Sequence, residues 1–166
     1  MKGESMLKTI IAIDPGVSGG VAISHLGRME CQAMPVTQGD LLGLVREIKG
    51  LADAEGRAVL CVVEAVGGFV GKAQPGSAMF RFGEHFGFIK GMVQALGIPL
   101  VLVRPQVWQK GLGLGTASAC ASKSDWKNKL KGEAQRRFPH LEVTLKTADA
   151  LLMLDSFLRN ESRCSR

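Results

Sequence analysis

The chain has 166 residues, 46% of them apolar and 22% charged. That excludes wholesale disorder and suits a single domain with its own core, since roughly 70% of the unfolded surface can be buried at this length. Lys and Arg outnumber Asp and Glu by 21 to 15, giving a net charge of +6 and an isoelectric point near 9.4, a balance that favours a polyanionic partner. No apolar run reaches the ~18 residues of a membrane span, so no membrane role is expected. The first ten residues lack the charged and apolar regions of a secretory signal. Cys31, Cys61, Cys120 and Cys164 form no CxxC pair, which points to a reducing, intracellular setting.

Leu7 to Asp14 is a β-branched, nearly continuous apolar run and predicts a buried strand, ended by Pro15 and Gly16. Gly19 to His25 and Arg28 to Met34 predict two further strands joined at Leu26-Gly27, completing an antiparallel meander. Asp40 is placed to cap a helix through Glu55, with Leu41, Leu44, Val45, Ile48 and Leu51 as its inner stripe. Val59 to Ala65 predicts another buried strand, followed by a glycine-rich loop from Gly67 to Gly76. A long helix is expected from Ser77 to Leu96, with Phe82, Phe86, Ile89, Val93 and Leu96 facing the core. Gly83, Gly87 and Gly91 lie beside that stripe, four apart. Each costs about 1 kcal/mol relative to alanine, so a close-packed neighbour or a dimer mate is expected there.

Pro99 to Val103 predicts a short strand, and Arg104 to Gly111 a turn with a short helix carrying Trp108. Gly111 to Ser122 reads as a mobile linker. A basic helix follows from Ser124 to Arg137, and a last helix from Lys146 to Arg159. Residues 1–6 and 160–166 are expected to be tails of the one domain. Three strands, then helices alternating with strands, imply a mixed five-stranded sheet with helices on both faces, an α/β ribonuclease H-like arrangement.

Three carboxylates stand where charge is least expected. Asp14 closes the first strand, Glu64 the fourth, and Asp149 lies within the apolar run ADALLML. Each has a plainer reading: a type I turn at Asp14-Pro15-Gly16, a solvated strand exit, an acid at a helix N-terminus. Asp155, with Arg159 four residues on, reads as an exposed ion pair. If the first and fourth strands are neighbours, Asp14 and Glu64 emerge side by side, and a crossing C-terminal helix adds Asp149. Like charges ~4 Å apart repel by about 4 kcal/mol at an effective dielectric of 20, so such a cluster calls for a cation. All-oxygen donors suit Mg²⁺ or Mn²⁺, and a basic protein with an acidic metal site matches phosphodiester hydrolysis.

The segments IAIDPGVSGGVAI, VVEA, SAMFRFGEHFGFIKG, PLVLVRPQVWQK and ADALLML occur in this order between residues 7 and 158. In that order they resemble the RuvC-type Holliday junction resolvases, in the style of the branch that includes plant chloroplast and phage proteins. The resemblance implies a homodimer, paired through the Ser77–Leu96 helix, that nicks four-way DNA junctions with Mg²⁺ or Mn²⁺. It implies a cytoplasmic setting in a bacterial or phage-infected cell, or an organelle. Carried over by motif, Asp14, Glu64 and Asp149 would be catalytic and metal-binding, and Phe69 would meet the junction centre. One departure stands out. The family's further Asp or His before the last acid is absent, and Lys146 lies three residues before Asp149. Three explanations stand open: three carboxylates work with another residue completing the site, the Lys146 ammonium stands in for part of one metal's charge, or the protein is slow or disabled and retained as a junction binder; the second makes Lys146 a fourth catalytic candidate.

Phosphate contacts are expected from Lys72, Arg81, Arg104, Lys110, Lys123, Lys127, Lys131 and Arg137. His25, His85 and His140 share no metal-ligand spacing and read as structural, and Trp108 and Trp126 read as core. The rival readings are a non-catalytic junction-binding protein, a ribonuclease H acting on hybrids, and a phosphate-gripping ATPase, for which the chain is too short.

Overall fold

The computed structural model describes residues 8–65, 67 and 76–164. Five strands build one sheet: β1 (Lys8–Asp14), β2 (Gly20–His25), β3 (Arg28–Ala33), β4 (Ala58–Glu64) and β5 (Leu100–Val103). Their order is β3-β2-β1-β4-β5. β1, β2 and β3 form the antiparallel meander, while β4 runs parallel to β1 and β5 parallel to β4. Among the described residues, five helices surround the sheet: α1 (Gln38–Ala54), α2 (Gly76–Ala95), α3 (Pro105–Lys110), α4 (Lys123–Arg137) and α5 (Ala148–Cys164). This is the ribonuclease H-like α/β architecture that the element order implies. No helix among the described residues is long and apolar enough to cross a membrane.

Strand periodicity assigns the two cores. Ile11 and Ile13 of β1 face one way and pack with Val59, Cys61 and Val63 of β4 under α1 and α2. Ile10 and Ala12 face the other way, with Val62, under α3, α4 and α5. Side chains alternate along a strand. The next residue after Ile13 and the next after Val63 therefore turn toward the face that α5 covers. Those residues are Asp14 and Glu64.

Several boundaries differ from expectation. Thr37, not Asp40, caps α1: its Oγ1 accepts from the Asp40 backbone N–H at 3.0 Å and donates to the Asp40 carboxylate at 2.7 Å. The buried stripe is Leu41, Val45, Ile48 and Ala52, and Leu51 is 56% exposed. α5 begins at Ala148 and continues to Cys164, so residues 160–164 are helix and not tail. Asp155 is not an exposed partner of Arg159 alone. It is buried and also bonded by Arg137 Nη1 at 2.6 Å. The expected linker after Gly111 contains a short 3₁₀ turn, Ala117–Ala119.

In α2 only Ile89, Met92 and Val93 are buried. Gly83, Gly87 and Gly91 are exposed, and a Cβ built on any of them would meet nothing within 4 Å. No neighbour within the described chain explains this ridge.

Candidate active site

β1 and β4 are adjacent and parallel, with Ile13 paired to Val63. Asp14 and Glu64 therefore leave the sheet at the same end, on the same face. α5 packs across β1 and β2, which brings Asp149, in its first turn, to that end. Asp14 and Glu64 are half-buried, and Asp149 is 4% exposed.

Close glycine contacts hold the turn that follows Asp14. Gly16 has a φ of +101°, in the region that L side chains avoid. A Cβ on Gly19 would lie 2.0 Å from the Asp14 carbonyl oxygen, and one on Gly20 would lie 2.4 Å from the Lys146 carbonyl oxygen. Gly20 thus lets the segment leading into α5 lie directly on β2, beside Asp14, which Gly20 opposes in the sheet.

Two further side chains bond to the acids. The buried Trp108 of α3 donates its indole N–H to Glu64 Oε2 at 2.9 Å. Lys127 of α4 pairs with Asp149 Oδ2. Among the described residues, Asp149 Oδ1 is buried with no hydrogen-bond partner.

The electrostatics show a shortage of positive charge. Burial, reinforced by Glu64 and then Asp149, pushes the Asp14 carboxyl up to about 8, with Lys127 opposing. Burial also raises Glu64. The Trp108 N–H opposes that shift, Asp149 adds to it, and Lys127 opposes it again. Burial pulls Lys127 down, but Asp149, Asp14 and Glu64 together outweigh it and hold the ammonium above its usual range. Among the described residues, one cation faces three carboxylates.

This donor set fits a hard divalent ion. It is all oxygen, it is short of positive charge, and it contains a buried acceptor without a donor, an arrangement rare in folded proteins. Asp14, Glu64 and Asp149 are the residues that would hold the ion. Among the described residues, no three His, Cys, Asp or Glu side chains stand as a ready-made metal cluster. The Lys127 ammonium lies among the carboxylates instead.

The lysine at the acids is Lys127, expected only as a phosphate contact. Lys146 is exposed, and what it brings to the site is its backbone carbonyl, resting on Gly20. Arg137 is tied to Glu133 at 2.6 Å and to Asp155 at 2.6 Å, with its side chain only 12% exposed, so it is withdrawn from the phosphate contacts. Arg81, Arg104, Lys110 and Lys123 are exposed and Lys131 is half-buried. Phe69 and Lys72 lie outside the described residues. Sequence reasoning missed Trp108 as a partner of Glu64. The available signal was its position in the short helix directly after the Pro99–Val103 strand, which the structure pairs with β4.

Neither a family model nor a curated protein matches the chain. Among solved structures, Thermus thermophilus RuvC is 13% identical, with a TM-score of 0.50 over 92% of this chain and 96% of that one. A second structure, T. thermophilus RuvC in complex with a Holliday junction substrate, is 12% identical, with a TM-score of 0.49 over 92% and 95% of the two chains. At these identities the likeness to RuvC is one of fold.

Proposed function

We propose that the protein is a divalent-cation-dependent endodeoxyribonuclease that resolves four-way DNA junctions by paired, symmetric nicks, acting as a homodimer in a reducing, cytoplasmic setting. The observation that carries this reading is the meeting of Asp14, Glu64 and Asp149 at one end of a ribonuclease H-like sheet, with too little positive charge between them. The ordered motifs shared with RuvC-type resolvases supply the substrate class.

Mg²⁺ or Mn²⁺ bound there would lower the pKa of a coordinated water and stabilise the leaving oxygen of the phosphodiester. The chain's own residues do the rest. Asp14 and Glu64 are fixed by neighbouring strands, so their separation is set by the sheet and not by a loop. The Trp108 N–H holds one Glu64 oxygen. Lys127 holds Asp149 Oδ2 and leaves Oδ1 free to coordinate. Arg104, Lys110 and Lys123 are exposed cations suited to the phosphate backbone, which positions the DNA without reading its sequence. A second protomer packed on α2 would give Gly83, Gly87 and Gly91 the close contact that the single chain does not.

A second reading rests on Lys127. An ammonium seated among the acids also suits a catalytically weak or inactive junction-binding protein. One assay separates these readings: a synthetic four-way junction incubated with Mg²⁺ or Mn²⁺, wild type beside Asp14→Asn. Resolution predicts paired nicks from wild type, and in Asp14→Asn a loss on the order of 10³-fold with junction binding retained. Binding by both proteins without cleavage under any divalent ion selects the binding protein. Preferential cutting of an RNA–DNA hybrid selects a ribonuclease H.

A further inference from the structure

We infer that His85 is a positioning residue for Asp14: its imidazole clamps the turn that aims the carboxylate. The inference rests on the nuclease reading only for its activity readout.

The Gly16 backbone N–H, two residues past Asp14, donates to His85 Nδ1 at 3.0 Å across 69 residues of sequence. Pro15 has no N–H to offer. The turn's own backbone bond, Gly19 N–H to the Gly16 carbonyl at 3.0 Å, closes it on itself. The Gly19 carbonyl accepts from the Met34 N–H at 3.0 Å, just past β3, and the Gly16 N–H ties the turn to α2. Phe82 lies one helical turn before His85 on α2, and its ring edge stands 3.0 Å from where a Gly16 Cβ would be. α2 therefore grips Gly16 from two positions on one face, by a hydrogen bond and by contact.

The grip is transmitted to Asp14 because the turn folds back on it. With Gly19 packed against the Asp14 carbonyl oxygen, Gly16 cannot shift without moving the Asp14 backbone. Nδ1 accepts only when it carries no proton, so the geometry assigns His85 the tautomer with hydrogen on Nε2. Burial, which lowers the His85 pKa, favours that neutral form.

The test uses the full chain with His85→Leu, which removes the acceptor, and His85→Asn, whose amide oxygen replaces it. Without DNA, Mn²⁺ titration should show binding about tenfold weaker in His85→Leu, the usual cost of losing an outer partner of a ligand. On a bound junction, its single-turnover nicking should fall by up to about a hundredfold, with junction Kd unchanged. His85→Asn should recover most of both losses, and ¹⁵N spectra of the wild type should show His85 protonated at Nε2. Wild-type Mn²⁺ affinity in His85→Leu, no rescue by His85→Asn, or a proton on Nδ1 overturns the clamp. Should His85→Leu fail to fold, the tautomer and His85→Asn decide. Should the wild type bind Mn²⁺ but cut no junction, the nuclease reading falls while the metal titrations and spectra still judge His85.

Discussion

Asp149 and Asp155 lie less than two turns apart on α5, and α4 supplies cations to both, yet the two surroundings are opposites. Around Asp155 and Glu133, two carboxylates meet three guanidiniums. Arg137 bridges both acids, Arg136 bonds Glu133 at 2.7 and 2.9 Å, and Arg159 bonds Asp155 at 3.0 Å. The Arg136 hydrogen bond, with Arg137 beside it, holds the Glu133 carboxyl down at about 2 against a weaker pull from burial. Around Asp149, three carboxylates meet one ammonium among the described residues, and Asp14 is pushed up to about 8. The satisfied network fastens α4 to α5. The unsatisfied one stores repulsion that a bound cation would relieve. The difference separates a satisfied structural network at one end of the helix pair from the site proposed for chemistry at the other.

The largest effect that could break this contrast is a pH dependence. The folded pKa of Asp14 lies above its unfolded value, so the native state binds the extra proton between about 4 and about 8. The stability this group contributes is present at low pH and is lost as pH rises through that window. Metal-free wild type should therefore lose stability relative to Asp14→Asn from pH 4 to pH 8, and Mn²⁺ should restore it in wild type alone. Thermal melts of both proteins across that range, with and without Mn²⁺, check this. Parallel curves would show that the acids carry no stored repulsion.

A smaller effect is expected at the other cluster. Arg137→Met leaves Glu133 and Asp155 short of a shared partner and should cost roughly 3 kcal/mol in urea unfolding. Junction nicking per folded molecule should not change. A loss of nicking beyond the unfolded fraction would show that the two clusters are coupled. The smallest effect concerns the glycine ridge. Gly87→Ala should stabilise the single chain by up to about 1 kcal/mol, since nothing meets the added methyl. It should weaken self-association measured by sedimentation, and unchanged association would remove α2 from the proposed dimer contact.

Much of the fold is legible in the chain because buried strands declare themselves locally. Leu7 to Asp14 and Val59 to Ala65 are short β-branched runs with an acid at the end or one residue before it, and both lie within a residue of β1 and β4. Helix edges were less legible. A Thr three residues before Asp40 competes for the same capping role, and only the backbone geometry decides between them. The three acids stood out because a charge amid apolar residues is conspicuous wherever it lies.

Periodicity and local composition act over a few neighbours, so they set the elements and the residues with chemistry to offer. Which of them meet was decided by the packed structure alone. Lys146 is Asp149's near neighbour along the chain, but the lysine at the carboxylates is Lys127, because α4 buries Trp126, Leu130 and Ala134 against the core and that rotation carries Lys127 to Asp149. Trp108 reaches Glu64, Arg137 is consumed by Glu133 and Asp155, and His85 meets Gly16 for the same reason. Partners distant in sequence are chosen by helix rotation and strand register, which depend on the whole core at once.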